Sequence, residues 1–484
     1  MTSSLQQDSN STLEPHDEVV KQSSVVSNPQ PTIALLPCCD LFEDFFDTVG
    51  MSFETFCSEL TGGWMFNYID ALQLAGVRTV LFFISSRVCE TTRFTHAATG
   101  ATVCILPAPR LYRAYRAILR QANNLKKRLK ASGDTKSSQS NVNHTPESTR
   151  RSLLAALKNG VGSIGSYLST PLGLLVGEIR REGCNAILCQ DYEYARFDIC
   201  VLLGRLINLP VLATFQGGDR LPSSFEYPFR WLALRASAGL IVAPQIERQR
   251  IRAFYQVPPA KILRIFNPMD ATTWGAIDRN EARLKLGIPA NAQVVVYHGR
   301  IQIWQKGLDV LLEAWDLIYR DRPERDLRLL LVGTGSDAAQ LHQCIAAMQL
   351  KGVMWIDEYV RDRNAIQQYL SAADIYTLPS RKEGFPVAPL EAMACGLPVV
   401  AADAAGISDI LEEGEASGGL VVPRENPQAL ALALERVLDD EALRRELGKR
   451  ARSRAQECFS LEVIGKQLRD ILIIQKIPSG KFPQ

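Results

Sequence analysis

Short runs of apolar and β-branched residues recur along this chain, spaced so that a helix fits between most neighbours. The first series is TIALLP (32–37), VRTVLFFIS (77–85), ATVCILP (101–107), NAILCQ (185–190), LPVLATF (209–215), AGLIVAP (238–244) and KILRIF (261–266). Runs that are apolar throughout, rather than alternating, suit strands buried on both faces. Helices between them predict parallel sheets with covered faces. A second series begins near Ala292: QVVVYHG (293–299), LRLLLVG (327–333), GVMWID (352–357), DIYTLPS (374–380), LPVVAA (397–402) and the shorter GGLVVP (418–423). NPMDATTW (267–274) lies between the two series and reads as an inter-domain linker. Two doubly wound α/β sheets in one chain predict a ligand-binding crevice facing the carboxyl ends of their strands.

Charge and composition exclude several classes. Against 54 Lys+Arg stand 52 Asp+Glu, a net charge of +2, so the molecule as a whole is no polyanion binder. A nucleic-acid partner is not expected, because the one basic cluster lies on a single helix and no reading motif accompanies it. No apolar run reaches ~18 residues, so no transmembrane helix is expected. Residues 1–30 are polar, lack the apolar stretch of a secretory signal and read as a disordered tail. The 11 cysteines show no Cys-x-x-Cys pairing, and Cys104, Cys189 and Cys200 lie in apolar runs. Reduced thiols in a cytoplasmic protein are the expectation. The five histidines are scattered, so neither a metal nor a cofactor is expected.

The segment IYTLPSRKEGFPVAPLEAMACGLPVVAAD (375–403) reads as strand, loop, helix, strand. Glu383 lies in the loop and Glu391 about one turn inside the helix, which Gly396 and Pro398 end. A carboxylate in a loop after a buried strand faces the crevice and can grip hydroxyl groups. One eight residues later reaches another part of the same ligand. Between them Gly384, Phe385, Pro386 and Val387 lead into a helix start whose free N–H groups suit a diphosphate.

This Glu-x7-Glu pair within E-G-F-P-x5-A-M-A-C-G-L-P-V-V resembles retaining glycosyltransferases of family GT4, which have the GT-B fold. The resemblance implies two Rossmann-like domains facing across a cleft. It also implies that Glu383 contacts the donor sugar and Glu391 the nucleotide ribose. VVVYHGRIQIWQKGLDVLLEAW (294–315) resembles the family's G-R-…-K-G-x-D segment. Arg300 and Lys306 then stand beside the leaving diphosphate and stabilise its charge, with Gly299 at the turn. Taken alone, the two cations read better as partners of surface acids; beside the Glu pair they read as diphosphate contacts. The sequence has no Asp-x-Asp, the usual metal-holding signal of the other major glycosyltransferase fold. Gly333 belongs to LLLVGTGSD (329–337), which resembles the nucleotide-side glycine loop, and Gly62 and Gly63 resemble the family's first glycine loop. In ATFQGGD (213–219), Gln216 replaces the family's frequent histidine.

Residues 109–180 interrupt the first series. RLYRAYRAILRQANNLKKRLK (110–130) places Arg113, Arg116 and Arg120 on one helical face and Leu111, Tyr115, Ile118 and Leu119 on the other. A basic amphipathic helix suits an anionic membrane surface; a sheet-packing helix with a solvated cationic face has the same pattern. The expected organisation is a tail (1–30), an acceptor-binding domain (31–265, with the insertion 109–180), a nucleotide-sugar domain (266–460) and a crossover helix with its tail (461–484). The expected activity is metal-independent transfer of a hexose from a nucleotide-diphosphate sugar, UDP-linked on frequency, to an acceptor hydroxyl. The acceptor is either a glycolipid head group, reached by an enzyme peripheral to the inner face of a membrane, or a soluble sugar or metabolite. A nucleotide-sugar-binding protein without turnover is the reading from another class.

Overall fold

The first apolar series forms an eight-stranded sheet in this computed structural model, which describes residues 30–47, 52–58, 63–131, 164–217 and 220–474. Its strands are β1 (Thr32–Pro37), β2 (Arg78–Ser85), β3 (Thr92–Thr95), β4 (Thr102–Pro107), β5 (Ala186–Gln190), β6 (Val211–Thr214), β7 (Gly239–Ile241) and β8 (Ile262–Leu263). Their order is β3-β4-β2-β1-β5-β6-β7-β8. The pairs are parallel except for β3, which runs antiparallel to β4.

The second series forms a six-stranded, wholly parallel sheet. It comprises β9 (Gln293–His298), β10 (Leu327–Val332), β11 (Val353–Ile356), β12 (Ile375–Leu378), β13 (Val399–Ala402) and β14 (Gly419–Val422), in the order β11-β10-β9-β12-β13-β14. Both sheets start in the middle, wind outward to one side, then cross to the other side of their first strand. That reversal leaves a crevice at the carboxyl ends of β1 and β5 in one sheet and of β9 and β12 in the other.

Every apolar run contains a strand, and the strands are buried as double-sided cover requires: β1 and Val294–His298 of β9 are buried throughout. The sequence pattern does not show β3. Its residues TRFT are exposed or half-buried, because an edge strand pairs on one side only and tolerates polar side chains. No helix among the described residues is long and apolar enough to cross a membrane. Expectations for the tail (1–29), the polar loop (132–149) and the start of the glycine-bearing stretch (153–163) lie outside the described residues.

Two chain crossings join the lobes, and both rest on the helix Gly63–Leu74. At the linker, Tyr68 Oη donates to Asn267 Oδ1 (2.9 Å) and Asn67 Nδ2 to the Pro268 carbonyl (3.0 Å). The terminal helix Leu461–Ile474 returns to bury Ile464, Leu468 and Leu472 with Phe66, Ile69 and Leu72. Gly465 permits that approach, since a Cβ there would stand 2.0 Å from the Ala71 carbonyl oxygen.

Over its described side chains, 110–121, the basic helix Arg110–Ala131 does not present one clean cationic face. Arg116 turns into the lobe, where Nη2 donates to Asp44 (2.7 Å) and Asp40 (3.0 Å) and Nε to Tyr112 Oη (2.9 Å). Two carboxylates in the short helix Leu41–Phe46 and its cap, after β1, draw it inward, so Arg116 is corrected from a membrane contact to an internal ion-pair partner. Arg113 lies 3.9 Å from Cys89 Sγ, and Arg120 is exposed. Leu111 and Ile118 are exposed as well, at 73% and 66%.

Candidate active site

The switch point of the second sheet assembles residues from three loops. The loop after β12 carries Glu383, and the short helix Ile303–Lys306 that follows β9 carries Lys306. Lys306 Nζ donates to Glu383 Oε1 at 2.7 Å, and Ser380 Oγ donates to the same oxygen at 2.6 Å. Both charged side chains are largely buried, with 17% and 7% exposed. Gly307 makes the approach of these loops feasible: its φ is +63°, and a Cβ there would lie 2.0 Å from the Pro379 carbonyl oxygen. Two residues before Glu383, Arg381 grips Asp309 with both nitrogens (2.7 and 2.8 Å), tying the loop to the helix Leu308–Asp321. Such a two-pronged guanidinium–carboxylate pair fixes direction as well as distance.

Arg300 follows β9 and is exposed; its side chain makes no hydrogen bond or ion pair among the described residues. It stands close enough to Tyr297 to be felt there. Burial drives the Tyr297 phenol far above its ordinary range, the charge of Glu383 adds to this, and Arg300 opposes it. Gly299 and Gly333 bring the loops after β9 and β10 into backbone contact: a Cβ on Gly333 would stand 2.1 Å from the Gly299 carbonyl oxygen.

Glu391 lies in the helix Ala388–Ala394, which starts just past Pro386 and Val387. His298, the last residue of β9, donates from Nε2 to Glu391 Oε2 at 2.8 Å. Its Nδ1 is buried and has no hydrogen-bond partner among the described residues. Sequence reasoning passed over this histidine, although its place directly before Gly299 and Arg300 at a strand end was a usable signal. Phe385 differs from its expected role as a donor contact. Its ring is 4% exposed and stacks on Phe266 at 5.4 Å, with Phe459 at 6.0 Å, so it anchors the loop in the core.

The first sheet faces this loop. Gly217, after β6, touches Gly384: a Cβ on Gly384 would stand 2.1 Å from the Gly217 Cα. Beside it, Gln216 Nε2 donates to Thr214 Oγ1 (2.8 Å). Gly63 opens its helix, whereas Gly62 lies outside the described residues. At the first sheet's own switch point, Asp191 follows β5 with φ +85° and accepts from the Glu193 N–H (2.9 Å). Burial and the neighbouring Glu193 push its carboxyl up to about 7.

Residues 278–454 match the family model described as glycosyl transferases group 1. The D-inositol 3-phosphate glycosyltransferase of Kineococcus radiotolerans is 33% identical over 237 residues, covering 46% of this chain and 54% of that protein. That of Jonesia denitrificans is 33% identical over 229 residues, covering 46% and 53%. The chain spans about half the length of the curated relatives it matches. Among solved structures, sucrose-phosphate synthase from Thermosynechococcus elongatus superposes with a TM-score of 0.60 at 20% identity, covering 91% of this chain and 98% of that one. Anabaena Alr3699/HepE in complex with UDP gives 0.60 at 17% identity, covering 91% and 99%. The segment that carries Arg300, Lys306, Glu383 and Glu391 thus matches the group 1 glycosyl transferase model, in a chain whose two facing sheets have the GT-B fold.

Proposed function

We propose that this chain transfers a hexose from a nucleoside diphosphate sugar to an acceptor hydroxyl, with retention of configuration and without a metal. The observation that carries the reading is the 2.7 Å pairing of Lys306 with Glu383, held at a sheet switch point and faced by the other lobe through Gly217. Glu383 binds the sugar hydroxyls, and Glu391, oriented by His298, binds the ribose. As the anomeric carbon–oxygen bond breaks, charge builds on the diphosphate. Lys306 and the exposed Arg300 meet that charge, the kind of fixed electrostatic aid that dominates such transfers. The acceptor oxygen attacks from the face the diphosphate leaves, its proton passing to a leaving phosphate oxygen. Uridine is the proposed base.

The acceptor-binding role falls to the first sheet, and inositol 3-phosphate, named in the relatives' activity, is the soluble acceptor to try first. The second reading, a lipid-borne acceptor at an anionic membrane, is supported by Leu111 and Ile118, seven residues apart on one helical face and both exposed. Flotation with anionic vesicles separates the two, because substitution of Leu111 and Ile118 by Ser should release the protein only on the membrane reading. The enzymatic reading is tested by incubating the protein with UDP-glucose and candidate acceptors. Transfer that disappears in Glu383→Gln supports it. Nucleotide binding without transfer to any acceptor would instead favour a non-catalytic nucleotide-sugar-binding protein.

A further inference from the structure

Four helices cover one face of the first sheet: Leu172–Arg181, Ala195–Ile207, Glu226–Ala236 and Gln245–Tyr255. All four bury residues in one core, among them Ile179, Phe197, Leu234 and Tyr255. Neighbouring helices touch: Arg230 Nε donates to Asp198 (2.6 Å), and the Tyr227 and Phe254 rings meet at 5.3 Å. Each helix leads into the amino end of a parallel strand, β5 to β8 in turn. The four therefore run the same way, with their carboxyl ends at the edge away from the cleft.

The outside of this layer is apolar where a solvated helix face is ordinarily polar. Leu202, Leu206, Phe229, Leu232, Ile246 and Phe254 are all exposed. Single exposed leucines are common, but here they recur turn after turn on three adjoining helices. The exposed charge is of one sign. The four helices contain four acids, Glu178, Asp198, Glu226 and Glu247; each pairs with an arginine, and none is exposed. The exposed charges are Arg180, Arg181, Arg205, Arg235 and Arg252, each in the last turn of its helix. A helix carboxyl end favours a cation, which accounts for where the arginines sit. It does not account for the apolar surface beside them or for the lack of an exposed acid. Arg205 and Arg235 reach only backbone carbonyls (2.6 and 3.0 Å), and their charges, together with burial, lower the pKa of the nearby Lys261 ammonium.

We propose that this helical face docks on an anionic lipid bilayer, its apolar side chains entering the acyl boundary and its row of arginines meeting lipid phosphates. The proposal rests on the membrane reading above and assigns it a surface. The helix that carries Leu111 and Ile118 packs Tyr112 into the same core, so those two side chains extend the face. Apolar side chains beside cations are what an interfacial protein presents to anionic lipid. A second copy of the chain fits less well, because it would bring a like-charged row of arginines and no exposed acid to the contact.

Flotation of the full chain with vesicles of phosphatidylcholine and phosphatidylglycerol in equal parts, against phosphatidylcholine alone, tests this. Wild type should float with the mixed vesicles and far less with phosphatidylcholine. Leu206→Gln, Leu232→Gln and Ile246→Gln combined, at side chains 74%, 57% and 63% exposed, should keep the fold and lower partitioning roughly tenfold or more. Arg180→Gln, Arg181→Gln and Arg252→Gln combined should lower it roughly a hundredfold, about fivefold per cation. Leu432→Gln, at a leucine of the second lobe that is 66% exposed, should float as wild type does. Wild type that does not float would sink this proposal and the membrane reading together. Wild type that floats, with either triple variant floating equally well or Leu432→Gln released, would overturn this face and leave the membrane reading standing. A dimer seen in sedimentation and lost in the Leu206, Leu232 and Ile246 variant would make a second copy the occupant, and would also overturn the proposal.

Discussion

Gly384, the residue after the buried acid Glu383, is pressed between Gly217 of the first lobe and Gly406 of its own. A Cβ on Gly384 would lie 2.1 Å from the Gly217 Cα, and one on Gly406 would lie 2.3 Å from the Gly384 carbonyl oxygen. The loop that presents Glu383 is thus positioned by backbone contact with the opposite sheet, with no room for a side chain. Gly384→Ala must move one backbone or the other. A displacement of about 1 Å at a reacting centre can lower turnover by roughly 10²-fold, and kcat/KM for sugar transfer should fall on that scale. Circular dichroism should show a folded chain, since the contact lies outside both sheets.

Lys306 and Glu383 act on the proposed reaction from one ion pair, so their effects should not add. Lys306→Ala removes a cation from the diphosphate and also leaves a 7%-exposed carboxylate without its charged partner. A loss of roughly 10²–10³-fold in kcat is expected, as for removal of one charge-stabilising donor. Glu383→Gln should lose as much, and the double variant little more than either alone. Full additivity in a kinetic double-mutant cycle would show that the pair does not work as a unit.

The hydrogen bond between His298 and Glu391 should be read in nucleotide affinity rather than in the chemical step. His298→Val deletes the donor to Glu391 Oε2 and leaves that half-buried carboxylate less well oriented. Kd for UDP, measured calorimetrically, should rise by about three- to tenfold, the usual net yield of one hydrogen bond once solvent competition is counted. His298→Gln, which can donate from its amide, should recover part of the loss. Equal affinity in wild type and His298→Val would remove His298 from the site.

Asp191 predicts a pH dependence of stability. Its folded pKa of about 7 lies above the ~3.9 of an unfolded aspartate, so the folded state holds a proton that the unfolded state releases. Stability should therefore fall as pH rises from about 4 to about 7, because ionising this buried carboxyl disfavours the fold. Asp191→Asn keeps an oxygen to accept the Glu193 N–H, tolerates φ +85° and cannot ionise. Its melting temperature should match wild type near pH 4 and exceed it at pH 8, by the equivalent of up to a few kcal/mol. A wild-type-to-variant difference that stays constant across that range would show that Asp191 does not titrate there.

Sequence and tertiary structure contributed different parts of this picture. Apolar runs such as TIALLP and QVVVYH marked the strands because burial on both faces must be written into each residue locally. The Glu-x7-Glu spacing was legible for the same reason: one loop and one turn of helix lie within a single short segment. Only the fold decided that His298 meets Glu391 across 93 positions, that Arg116 turns inward to Asp40 and Asp44, and that Phe385 packs into the core against Phe266. A hydrogen bond or ion pair between distant residues leaves no periodic trace in either one. That Arg116 of the Arg110–Ala131 helix turns away from solvent was likewise settled by two carboxylates at the short helix Leu41–Phe46, not by the basic helix's own pattern.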